Sequence, residues 1–210
     1  MLTKEGCRAR QDRLQRRLSE AKIDSVAIVH PLEIYYFTGV LFPEQFPGQP
    51  ALLWIEAGGD SWMVAHSDAG EPLVDACYTY ECSIGGTINP YMRTQLGEIV
   101  VERLQASGTR AGRVGYQREF MPKLLSDQID RGLGTGPEWV DMDEGLHRMQ
   151  EIKDDDEIAL IRKAIEVDLA AYTAAQKVIA PGVNELEVLG AAQQAAHLAA
   201  GEKVFHDGDY

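Results

Sequence analysis

The run Ser25-Val26-Ala27-Ile28-Val29-His30 restricts the possible folds more than any other stretch of this chain. It is apolar on both faces and rich in β-branched residues, the pattern of a strand buried within an α/β sheet rather than one with a solvated face. Helices must therefore cover both sides, and the flanking sequence supplies candidates. Lys4 to Lys22 reads as an amphipathic helix with Leu14, Leu18 and Ala21 turned inward, and Arg93 to Ala106 as another with Leu96, Ile99, Val100 and Leu104 inward.

Further elements follow from local signals. Pro31 to Gly39 is a short aromatic turn of helix ending at glycine, and Phe42 to Pro50, with Pro43, Pro47 and Pro50, is a loop. Ala51 to Ile55 and Ser61 to Ala65 flank Ala57-Gly58-Gly59-Asp60, a hairpin signal that makes the two strands antiparallel. A short helix around Glu71 to Asp75 precedes a strand at Cys77 to Glu81, rich in aromatic and β-branched residues. Gly85-Gly86 and Asn89-Pro90 mark a loop. Arg113 to Tyr116 reads as a strand, Met121 to Arg131 as a helix and Trp139-Val140-Asp141 as the last strand. Residues 1–150 are thus predicted to form a three-layer α/β domain, with a mixed sheet of about six strands and about four helices.

Residues 151–210 read differently. Asp154 to Glu202 gives two consecutive helices joined by Ala180-Pro181-Gly182-Val183. Asp154 stands three residues before Glu157, and Asn184 three before Glu187, the spacing of capping boxes. Ile158, Ile161, Ile165, Leu169, Tyr172 and Ile179 share one face of the first helix, which Pro181 and Gly182 then stop. No strand follows for these apolar faces to cover, so the pair reads as the opening of a second domain.

Composition excludes several functions. The formal net charge of −13 argues against a general nucleic-acid binder, which needs a basic face to neutralise phosphates. Arg8, Arg10, Arg13, Arg16 and Arg17 crowd the first helix as a solvated face. Cys7, Cys77 and Cys82 are odd in number and form no CxxC pair, which suits a reducing cytoplasm and no zinc site. No apolar run reaches the roughly 18 residues of a membrane span, and no apolar signal core opens the chain.

The chemistry-bearing residues each have an ordinary explanation. Gly132-Leu133-Gly134-Thr135-Gly136 follows a helix and precedes a strand, the reverse of a phosphate-cradling loop, and reads as a connection. Asp141, Asp143 and Glu144, then Asp154, Asp155, Asp156 and Glu157, resemble hard-cation ligands; first-turn capping explains the second group better. His206-Asp207-Gly208-Asp209 bunches three potential ligands in a terminal tail that lacks rigid support. No G-x-S-x-G elbow occurs, and His30, His66, His147 and His197 are scattered singly. The residues alone assign no catalytic group and no metal ligand.

A family resemblance adds what these residues do not. Ile23-Asp24-Ser25-Val26-Ala27-Ile28-Val29 followed by Ile34-Tyr35-Tyr36-Phe37-Thr38-Gly39 resembles the opening of the creatinase/prolidase metallopeptidase family. Met149 to Ile158 is similar to that family's passage into its second domain, where a lysine, here Lys153, precedes an acid-capped helix. Ile179-Ala180-Pro181-Gly182-Val183-Asn184-Glu185-Leu186-Glu187 resembles its turn between the first two helices of that domain. The three motifs occur in order across nearly the whole chain.

The resemblance implies a mixed α/β N-terminal domain followed by a "pita-bread" domain, of which residues 151–210 would be the first two helices. In the family, two divalent metals (Mn, Co or Zn) are held by two Asp, one His and two Glu on strands after those helices. Asp207 and Asp209 come too early to take that role, so the expectation is no cofactor in this chain. Creatinase-type members also use an aromatic and an arginine, from the loop after the Tyr-Tyr segment, to reach a neighbouring subunit's substrate. Phe42 or Phe46 matches the aromatic, but Val40 to Pro50 holds no arginine, which favours Xaa-Pro cleavage over creatine hydrolysis.

The expectation is therefore the N-terminal part of a cytoplasmic, homodimeric, metal-dependent Xaa-Pro peptidase. It would support the active site, and it would be inactive alone because the metal-ligand strands are absent. Peptides or small guanidino or amide compounds would be substrates of the complete enzyme only. The alternatives are a creatinase-type amidinohydrolase fragment and a non-catalytic α/β module working by association through exposed helix faces.

Overall fold

The computed structural model describes residues 2–41, 49–67, 70–81, 83–84, 87–109, 112–134, 136–202 and 204. The chain divides into two compact units, Met1–Ile152 and Lys153–Tyr210.

The first unit is built on a six-stranded mixed sheet. Its strands are β1 (Ser25–Ile28), β2 (Leu52–Glu56), β3 (Ser61–His66), β4 (Ala76–Tyr80), β7 (Arg113–Tyr116) and β8 (Glu138–Asp141), in the order β4-β3-β2-β1-β7-β8. The β1–β2 and β2–β3 pairs are antiparallel, while β3–β4, β1–β7 and β7–β8 are parallel. β5 (Ser83–Ile84) and β6 (Thr87–Ile88) form a separate two-stranded ribbon. The six strands and mixed pairing agree with the sequence reading, and β1 is buried at all four positions.

Two layers of helix cover the sheet, and strand alternation decides which side each residue serves. Val26, Ile28, Leu53, Ile55 and Met63 pack with Leu14 and Leu18 of α1 (Lys4–Ala21), Ile34 and Phe37 of α2 (Pro31–Thr38), and Leu146 and Met149 of α5 (Asp143–Glu151). Ala27, Leu52, Trp54, Trp62 and Val64 face the other way. They meet Leu96, Val100 and Leu104 of α3 (Met92–Ser107) and Leu125 and Ile129 of α4 (Lys123–Leu133). Trp54 and Trp62 stack across neighbouring strands with centroids 5.6 Å apart.

The structure corrects the sequence reading in three places. Residues 71–75 form no helix: 73–75 are bends and 71–72 are irregular. Two of their amides are taken by distant carbonyls, Leu73 N–H by Thr38 and Asp75 N–H by Ser61, and Val74 N–H bonds Pro72, which leaves no helical ladder to close. α5 has no counterpart in the sequence reading, which notes Asp141, Asp143 and Glu144 only for their resemblance to cation ligands and places no helix start there. The ribbon β5–β6 occupies a stretch read as loop.

In the second unit, α6 (Asp155–Val178) and α7 (Glu185–Ala200) form an antiparallel hairpin. Capping boxes open both helices: Asp154 N–H donates to Glu157 at 2.9 Å and Asn184 N–H to Glu187 at 3.3 Å. The seam between them consists of small residues, with Val167 and Ala171 buried against Ala192 and Ala196. The large apolar residues lie elsewhere on α6. Ile158, Ile161, Ile165, Leu169 and Tyr172 are exposed, from 37% at Ile158 to 67% at Tyr172.

Candidate functional site

In an open α/β sheet, the carboxyl ends of parallel strands are where ligands are received. Here β1 and β7 run side by side with Ala27 level with Tyr116, so the segments that leave them emerge together. The leaving chains are tied at once. The Gln117 side-chain carbonyl accepts the Val29 and His30 amides at 2.7 and 2.9 Å, and Gln117 is buried.

This bond fixes His30 at the N-terminus of α2, where Pro31 starts the helix without needing a hydrogen bond of its own. The His30 ring lies 4.1 Å from that of Phe120, which the turn after β7 supplies. Its Nδ1 meets the carboxylate of Glu33, one turn along α2. The other Glu33 oxygen accepts a bond from Gln150 of α5 at 3.2 Å. Nε2 of His30 makes no hydrogen bond among the described residues. A carboxylate that holds one imidazole nitrogen fixes the ring's orientation and leaves the second nitrogen for a ligand.

The same helix is secured from below. Arg10 is fully buried, donates through Nε to the Tyr36 carbonyl at 2.7 Å and lies over the Tyr36 ring at 4.9 Å. Gln11 donates to the carbonyls of Phe37 and Leu73 at 2.8 and 2.7 Å, and the Tyr36 hydroxyl to that of Met149 at 3.0 Å. The sequence reading had counted Arg10 on a solvated face. Its burial instead rests on the carbonyl and aromatic ring presented by Tyr36.

The other sequence candidates are not brought to this site. Phe42 and Phe46 lie outside the described residues, as do Cys82 and the His206-Asp207-Gly208-Asp209 group. Asp141 accepts the Asp143 amide and pairs with Arg118, Asp143 accepts the Glu119 amide, and Glu144 pairs with Arg148, so these acids organise the start of α5. Gly134 caps α4 at φ +74°. His66 is buried in β3, His147 stands exposed on α5, and His197 Nδ1 lies 2.8 Å from the Gln193 carbonyl.

Asp154, Asp156 and Glu157 do converge, with ligand atoms within 4.8 Å of one another. Their oxygens serve the helix: Glu157 accepts the Asp154 amide and Asp156 the Glu157 amide at 3.0 Å. No histidine joins this cluster among the described residues.

Sequence reasoning missed the His30 group. The i,i+3 spacing of His30 and Glu33 across a helix start was its only local sign; Gln117 and Gln150 join from 87 and 117 residues away.

Comparison with known proteins places this architecture. A family model described as the creatinase/prolidase N-terminal domain matches residues 10–152. Among solved structures, the prolidase from Pyrococcus horikoshii is similar at 16% identity and TM-score 0.67, over 90% of this chain and 48% of that one. The X-Pro aminopeptidase from Thermotoga maritima gives 17%, 0.67, 90% and 49%, and the Xaa-Pro dipeptidase from Bacillus anthracis 15%, 0.66, 91% and 49%. The chain thus spans about half the length of these structures. A comparison with curated proteins found no match.

Proposed function

Because the chain belongs to the creatinase/prolidase family through its N-terminal domain, we propose that it is the supporting, non-catalytic part of a metal-dependent hydrolase acting on Xaa-Pro peptides. One observation carries this reading: the family match runs from the middle of α1 to the residue after α5, and so covers both helical layers and the whole main sheet. On this reading the first unit walls the catalytic centre, limits substrate length and pairs subunits into a cytoplasmic homodimer. Residues 151–210 open a pita-bread domain.

The two divalent ions that such an enzyme uses do not fit the residues described. The one acidic cluster, Asp154, Asp156 and Glu157, is committed to helix amides and includes no histidine. Metal binding and bond cleavage are therefore not assigned to any of the described residues. The chain's own contribution is to bind and orient substrate, through Phe42 or Phe46 and through Nε2 of His30.

The 210-residue chain, supplied with Mn, Co or Zn, should leave Xaa-Pro dipeptides, longer Xaa-Pro peptides and creatine intact. A polypeptide that joins this chain to a catalytic domain of the same family should cleave the Xaa-Pro substrates. Turnover by the 210-residue chain with two tightly bound metals would overturn the reading. In the active polypeptide, His30→Ala should raise KM severalfold with little change in kcat, as expected when binding common to ground and transition state is lost. An unchanged KM would remove His30 from the substrate's path. A second reading, as an association module, is favoured by the exposed apolar face of α6.

A further inference from the structure

We propose that the carboxyl ends of β1 and β7 form a binding site for a small organic carboxylate, held by the side-chain amide of Gln117 and the first-turn amides of α2. Such a site deepens the hydrolase reading and rests on it for the natural ligand, the carboxyl end of a peptide substrate.

Topology makes the opening. From β1 the chain passes through α2 to β2 on one side, and from β7 through α4 to β8 on the other. α2 and α4 cover opposite faces of the sheet, with Ile34 and Phe37 in one core and Leu125 and Ile129 in the other. Two parallel neighbours whose chains part in this way leave a crevice at their carboxyl ends, where open α/β sheets take ligands.

Gln117 decides what enters. It is 2% exposed, and its Oε1 accepts two backbone amides, Val29 at 2.7 Å and His30 at 2.9 Å. Only an oxygen serves two N–H donors, so the orientation of the side-chain amide is fixed by its partners. Its Nε2 makes no hydrogen bond among the described residues. Because Oε1 is bonded to the residue that opens α2, this unused donor sits at the N-terminus of that helix. A buried amide with two free N–H bonds calls for an acceptor.

α2 adds donors of its own. His30 makes no side-chain cap, and the amides of Leu32 and Glu33 take no acceptor among the described residues. The partial positive charge of a helix start favours an anion. The Glu33 carboxylate does not fill that place, since its two oxygens face His30 and Gln150. Its charge, and the net charge of −13, penalise a dianion such as phosphate more than a monoanion. Phe120, 46% exposed and in ring contact with His30, and Leu32, 60% exposed, offer apolar surface beside the donors. A carboxylate on a compact apolar body, such as a prolyl ring, matches both features.

The test titrates N-acetyl-L-proline, its neutral amide and inorganic phosphate into the isotope-labelled 210-residue chain without metal. NMR follows the Gln117 side-chain amide and the Leu32 and Glu33 backbone amides. The acid should shift all three saturably, with Kd about 0.1–10 mM for a ligand of this size. The amide and phosphate should bind at least about tenfold more weakly. Gln117→Glu keeps an acceptor for Val29 and His30, so it should keep the wild-type circular dichroism. It replaces the free donor with a carboxylate oxygen and should weaken the acid at least about tenfold.

No saturable shift by the acid at about 50 mM would overturn the proposal. An amide or phosphate that binds as tightly as the acid would overturn the choice of ligand, and that comparison needs no substitution. Undiminished binding to Gln117→Glu would place the site elsewhere and overturn it too. The titration holds no metal and reads no cleavage, so its failure is separate from a failure of the hydrolase reading, which shows as intact Xaa-Pro peptides.

Discussion

In the first unit Leu53, Trp54, Ile55 and Met63 have no solvent exposure, whereas in the second Ile165, Leu169 and Tyr172 keep more than half of theirs. Both regions carry strong apolar periodicity, so hydropathy does not account for the difference. The supply of covering layers does. Each face of the main sheet is met by helices, and a side chain on β2 is buried whichever way the pleat turns it. α6 meets α7 along one side only, and that side is lined by Val and Ala. A long periodic helix is therefore evidence for an apolar face, and whether that face is buried depends on what else the chain folds against.

The sharpest test of this contrast removes a large side chain from each region. Trp54→Ala in the first core should cost about 3–5 kcal/mol, the range for large-to-small changes that leave a cavity. Leu169→Ala on the α6 stripe should change the stability of the monomer by less than about 0.5 kcal/mol. Urea titrations at low protein concentration give both values. Similar losses at the two positions would mean that the stripe is covered in the free monomer and would dissolve the contrast.

A second test adds a methyl group in each region. A Cβ at Gly132 of α4 would lie 2.9 Å from Leu104 Cδ1 and 3.2 Å from Val101 Cα. The backbone of α3 cannot yield cheaply, so Gly132→Ala should cost about 1–3 kcal/mol by overpacking. Gly190 of α7 has nothing within 4 Å of the same position. Gly190→Ala should instead stabilise the hairpin by about 0.5–1 kcal/mol through helix propensity and a less flexible unfolded chain. Thermal melts followed at 222 nm separate the two signs.

The contrast also explains what was legible in the sequence. Elements whose signals are local were readable: the two-faced strand at Ser25, the glycine-centred hairpin before Ser61, and the capping boxes at Asp154 and Asn184. Elements decided by distant partners were not. Residues 71–75 have a helical look, yet the Leu73 and Asp75 amides bond Thr38 and Ser61. Arg10 has the composition of a surface arginine, yet the Tyr36 carbonyl and ring lie over it in the core. The His30 group failed to show for the same reason, since only Glu33 is near it in sequence, while Gln117 and Phe120 arrive through the parallel β1–β7 pairing and Gln150 from α5.

The smallest expected effect concerns pH, and it confines itself to the first unit. Asp75 precedes the edge strand β4, and its Oδ2 accepts the Ser61 amide at 2.7 Å, which holds the carboxyl below its ordinary value. The Ser61 hydroxyl at 2.9 Å and Arg8 at 3.5 Å act in the same direction, against a partial burial that opposes them. A carboxylate whose pKa is lowered by folding adds stability that is complete above the unfolded value, near 3.9, and is lost as pH falls through the folded one. The stability gap between wild type and Asp75→Asn should therefore be constant from neutral pH down to about 4 and shrink below it. Added salt should reduce only the share owed to Arg8, since both side chains are partly exposed. Trp54, Trp62 and Trp139 all belong to the first unit, so tryptophan fluorescence follows its unfolding alone. A gap that widens below pH 4 would mean that the Asp75 carboxyl is held above its ordinary value, and that the Ser61 amide does not govern it.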